Sequence, residues 1–65
     1  MEVIRITSKK DFKRAKKQYE KNSSISWDVE NWGWFGAHTC YIPQMDCFIS
    51  LGKAQQRGMI IKDLE

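Results

Sequence analysis

The sequence predicts a single α+β domain over residues 1–65. One N-terminal helix packs on a mainly antiparallel sheet of four or five strands, in two layers and in the order β-α-β-β-β with a short terminal run as a further strand. Three observations carry this. At 65 residues the chain buries only about 60% of its unfolded surface, enough for one small core. A single stretch, near the N-terminus, repeats its apolar residues at helical spacing. Everything after it alternates or runs apolar in short pieces separated by turn residues, which favours hairpin-connected strands. The length excludes two-domain enzymes, dinucleotide folds and barrels. With 42% hydrophobic and 12% aromatic residues the chain is not a disordered tail.

Residues 1–7 hold the β-branched Val3, Ile4, Ile6 and Thr7, which favour a strand. Ser8 then suits a helix N-cap, with Asp11 three residues on, near the positive end of the helix dipole. From Lys9 to about Lys21 the pattern is helical: Phe12, Ala15 and Tyr19 fall within roughly 60° of one another. Lys10, Lys13, Arg14, Lys17 and Lys21 lie on the side away from that stripe, and Asn22-Ser23-Ser24 ends the helix. Next, Ile25, Trp27 and Val29 alternate with Ser26, Asp28 and Glu30, the period of a strand with one wet face. Residues 31–36 carry two glycines and form a connection. Residues 37–42 read as a strand, Pro43 to Asp46 as a turn and Cys47 to Leu51 as the returning strand. Gly52 to Gly58 reads as a polar loop with room for one helical turn, and Met59-Ile60-Ile61 as the terminal strand.

Two cysteines are too few for a disulfide scaffold, and no apolar stretch near the N-terminus resembles an export signal. A cytoplasmic protein is expected, in host cytoplasm if the chain is a phage product. In a hairpin turning at Pro43-Gln44, Cys40 and Cys47 sit opposite each other, close enough to bridge under oxidising conditions. His38, Cys40 and Cys47 are weak metal candidates, since their spacing matches no common ligand pair. Two buried small side chains are the simpler reading, and no metal or cofactor is expected.

Charge is unevenly distributed. Residues 1–21 contain eight Lys/Arg and three Asp/Glu, a balance of +5; residues 22–65 contain three and five, a balance of −2. The basic helix face points to phosphate contact on RNA or single-stranded DNA, or simply to a solvated outer surface. Residues 22–52 have no Lys or Arg and hold six of the eight aromatics. Trp27, in register with Ile25 and Val29, is expected inward. Trp32, Trp34 and Phe35 are expected, at least in part, at the surface as anchors for a protein partner, flanked by Asp28 and Glu30.

No catalytic set is evident. His38 and Cys40 share a strand face without a third orienting group, and no phosphate loop or nucleophile elbow is present. The expected function is therefore binding without catalysis, as in small inhibitors, antitoxin-like regulators and phage-encoded modulators. The aromatic, acidic segment would dock on a protein, for which a nucleic-acid-handling enzyme is suited by its basic surface. Two alternatives are an RNA or DNA module using the basic helix, and a homodimer formed through an open sheet edge. No membrane partner is expected.

Overall fold

The computed structural model describes residues 1–28 and 38–64. Strand β1 spans Glu2–Ile6 and helix α1 Lys9–Tyr19, extended by a 3-10 turn over Glu20–Asn22. Strands β2 (Thr39–Ile42) and β3 (Cys47–Ser50) form a hairpin, followed by a short helix α2 (Leu51–Gln56) and strand β4 (Ile60–Asp63). The sheet order is β3-β2-β1-β4, with β1–β2 and β2–β3 antiparallel and β1–β4 parallel. The domain is α+β with a mainly antiparallel sheet.

Helix α1 begins where its local chemistry dictates. Ser8 is extended, and its Oγ accepts from the Asp11 backbone N–H at 3.2 Å. The Thr7 hydroxyl donates to Asp11 Oδ2 at 2.9 Å, so the first turn is tied to the strand that feeds it. On the buried side, Phe12 and Ala15 pack with Ile6, Trp27 and Tyr41, and Tyr19, Ile25, Phe48 and Leu64 close around them.

The other face of the same sheet is also covered. Val3, Cys40, Ile42 and Ile49 alternate along their strands with the residues facing α1, and they pack with Ala54 of α2 and with Leu51, Met59 and Ile61. The segment read as a loop is thus a helix, and it adds a layer to the expected two. Two local signals build it. Ser50 Oγ accepts from the Lys53 N–H at 3.3 Å. Gly58 ends it at φ +67, where its N–H reaches Gln55 O at 3.1 Å and the Met59 N–H reaches Ala54 O at 3.0 Å. Those paired bonds form a Schellman stop. The helix carries the chain from one edge strand, β3, to the other, β4, which accounts for the parallel pairing with β1.

Two further expectations are corrected. Residues 25–28 form no strand, although Trp27 is buried and Ile25 half-buried as the alternation requires. Their backbone turns instead: Ser26 Oγ accepts from the Asp28 N–H at 3.4 Å, and Ser23 Oγ from the Ile25 N–H at 3.3 Å. Hydroxyls beside the chain offer local partners that compete with a ladder. Cys40 and Cys47 are not opposite each other. The hairpin turns over all four residues Pro43–Asp46, so Ile42 pairs with Cys47 and Cys40 with Ile49. The thiols share a face as a diagonal pair and are free; diagonal neighbours, about 7–8 Å apart, lie beyond comfortable disulfide reach.

Candidate functional site

Helix α1 presents the largest charged feature among the described residues. Lys10, Lys13, Arg14, Lys17 and Lys21 are all exposed. At about 100° per residue they fall within an arc of about 100° centred opposite the Phe12, Ala15 and Tyr19 stripe. From Lys10 to Lys21 the row extends about 17 Å along the helix. One pair trims it, Arg14 Nη1 at 3.5 Å from Asp11 Oδ1, and beside the row Lys16 Nζ lies 3.9 Å from Glu20 Oε1. Among the described residues, Lys10, Lys13, Lys17 and Lys21 have no carboxylate within ion-pair distance.

A second cluster lies where the chain leaves α1. Asp46, at the end of the β2–β3 turn, has φ +51, a left-handed conformation that aspartate tolerates better than most residues. Its Oδ1 accepts from the Ser23 hydroxyl at 2.5 Å and the Tyr41 hydroxyl at 2.8 Å. Its Oδ2 accepts from the Ser24 N–H at 2.5 Å and the Ser24 hydroxyl at 2.7 Å. The Ser23 and Ser24 bonds hold its carboxyl well below the usual carboxylate range. Burial and the bond to Asp46 push the Tyr41 phenol up to about 12. A carboxylate with its lone pairs filled and its proton affinity so lowered is a poor general base. The cluster is a latch between hairpin and helix end, and it aims the following residues so that Trp27 enters the core. Sequence reasoning missed it, for Ser23-Ser24 and Asp46 carry only helix-end and turn signals, and they lie more than twenty residues apart.

Trp27 meets Phe12, Tyr41 and Phe48 at ring-centroid distances of 5.7, 4.8 and 5.3 Å. Tyr41 also meets Tyr19 and Phe48, both at 5.3 Å. Five of the eight aromatics therefore make the core on the α1 side of the sheet. The indole N–H of Trp27 is buried without a partner among the described residues.

The remaining sequence candidates do not converge. Asp28 is exposed, while Glu30, Trp32, Trp34 and Phe35 lie outside the described residues. His38 is exposed just before β2; Cys40 is fully buried and Cys47 half-buried. Burial pushes the Cys40 thiol up, with Arg5 opposing, so thiolate chemistry there is suppressed. Among the described residues no three His, Cys, Asp or Glu side chains are grouped to hold a metal. The groove between the end of α1 and the β1–β4 edge has a volume of about 190 Å³, below the ~300 Å³ at which ligand pockets begin. It is crossed by the Glu2–Lys62 ion pair at 2.9 Å. No described helix is long and apolar enough to cross a membrane. Compared with known proteins, the chain matches no family model, no curated protein and no solved structure.

Proposed function

We propose that the domain is a non-catalytic binding module that engages an anionic partner through the exposed face of α1. One observation carries the reading: five cations occupy a single arc of α1 and the 3-10 turn that extends it, and four of them have no counter-charge among the described residues. Such a row raises the local concentration of anions and steers their approach. The helix beneath is anchored by the Ser8 cap and by Phe12 and Ala15, so the charges stand on a fixed scaffold. A module of this kind acts by occupying a surface, as inhibitors and regulators do. Of the residues read for docking on a protein, Asp28 is exposed, and Glu30, Trp32, Trp34 and Phe35 lie outside the described residues.

The test is charge reversal. Lys13→Glu with Lys17→Glu alters only exposed side chains, so the thermal transition should stay in place while retention on a heparin column at low salt is lost. Unchanged retention by the double variant would sink the proposal.

A further inference from the structure

We infer that the partner of the α1 face is the phosphodiester backbone of nucleic acid, held without base readout; this rests on the anion-binding reading above and names the anion. Three kinds of surface offer dense negative charge: a membrane of anionic lipid, an acidic protein and a nucleic acid. The chemistry of the arc separates them.

A helix that binds lipid buries an apolar face in the headgroup layer. The apolar face of α1 is already spent, because Phe12 and Ala15 are buried against Ile6, Trp27 and Tyr41. Lys9, Lys16 and Glu20 flank the arc on one side, Asp11 and Gln18 on the other, so no exposed apolar side chain on α1 is left to insert. Among the described residues, the large exposed apolar side chains, Met1, Met45 and Ile60, lie outside α1.

A protein partner is gripped by buried aromatic and arginine anchors, and lysine is depleted from interface centres. The arc contains four lysines and one arginine, and that arginine already meets Asp11. Lysine is a strongly hydrated point charge without the planar fork that suits bidentate pairing. Its strength here is number and spacing.

A polyphosphate rewards number and spacing. Its condensed counterions are released as lysines replace them, a gain that needs neither apolar contact nor bidentate geometry. Lys10, Lys13 with Arg14, Lys17 and Lys21 place a cation on each of four successive helical turns. The row is ~17 Å long, and each strand of a duplex carries a phosphate about every 3.4 Å of axis, so several phosphates come within its reach. Amine-to-phosphate contacts carry no sequence information.

The experiment is fluorescence anisotropy on the intact protein with two short duplexes of unrelated sequence, over about 50 to 200 mM salt. Vesicles of equal parts phosphatidylserine and phosphatidylcholine, and polyglutamate, serve as competitors. Four to five phosphate contacts predict that log K falls with log salt at a slope of about −4, a loss of a few hundred-fold across that range. Both duplexes should bind alike, and Lys13→Gln and Lys17→Gln should each flatten the slope by about one. A preference of tenfold or more for one duplex, or a slope the substitutions leave unchanged, overturns the inference. Competition by vesicles or polyglutamate at equal charge overturns it too, while leaving the anionic-partner reading in place. No binding to duplex, vesicle or polyglutamate at the lowest salt brings down both.

Discussion

Replacing Trp27 by alanine removes the ring on which the α1 side of the core converges. The indole is 4% exposed and touches rings from α1, β2 and β3. Tryptophan side chains bury roughly 150–250 Å², which at about 25 cal/mol/Å² is worth about 4–6 kcal/mol. Measured large-to-small changes of this type cost about 3–5 kcal/mol. A chain of 65 residues has a total stability of only about 3–10 kcal/mol. Trp27→Ala should therefore consume most of it. With a urea slope of about 1 kcal/mol per molar for so small a chain, the midpoint should drop by about 3–5 M, followed by far-UV circular dichroism. Trp27→Phe should be far milder, because it deletes an indole N–H buried without a partner among the described residues, a burial that costs about 1–3 kcal/mol and offsets much of the lost area. A Trp27→Ala midpoint within about 1 M of the parent would refute the reasoning and the inward assignment of Trp27 with it.

Four further outcomes are expected. The Asp46 carboxyl is held low in the folded state, so its contribution is complete above the ordinary aspartate range near pH 4 and is lost as pH falls. Asp46→Asn should lower the melting temperature at neutral pH, with the gap to the parent closing on acidification. Tyr41 behaves in the opposite sense: its proton is held to about pH 12 when folded, so its contribution is intact below about 10 and lost between there and 12. Alkaline melting curves of Tyr41→Phe should lack that decline. Gly52 lies inside α2 with open space where an alanine methyl would sit, so Gly52→Ala should stabilise by about 0.5–1 kcal/mol. Gly58→Ala, at φ +67, should destabilise by about 1 kcal/mol, and paired urea titrations check both signs.

Elements whose causes lie within one or two turns of chain were legible. Ser8, Asp11 and the Phe12, Ala15, Tyr19 spacing specify α1, and the same periodicity puts the five cations outside. The Pro43–Asp46 turn and its two strands were legible also, though not the register, which moved by two residues once all four turn positions were used. Helix α2 was hidden by Gly52, which weakens helix propensity, even though Ser50 and Gly58 marked its two ends. The Asp46 latch was not legible, since it joins residues whose proximity exists only after the sheet has formed.

By itself, then, the sequence determined the α+β class, the capped basic helix and the inward direction of Trp27, because side-chain periodicity and capping act through neighbours a few residues away. Only the tertiary structure decided what the backbone around Trp27 would do. Alternation says which side chains avoid water; it does not supply a ladder partner. Asp46 fixed Ser23 and Ser24 ahead of the segment, and the Ser23 and Ser26 hydroxyls took the Ile25 and Asp28 N–H groups. The parallel pairing of β4 with β1 was settled at the same level, with Arg5 bonded to Asp63 and Glu2 to Lys62 across it. Strand direction depends on where α2 delivers the chain, and that is a property of the packed sheet.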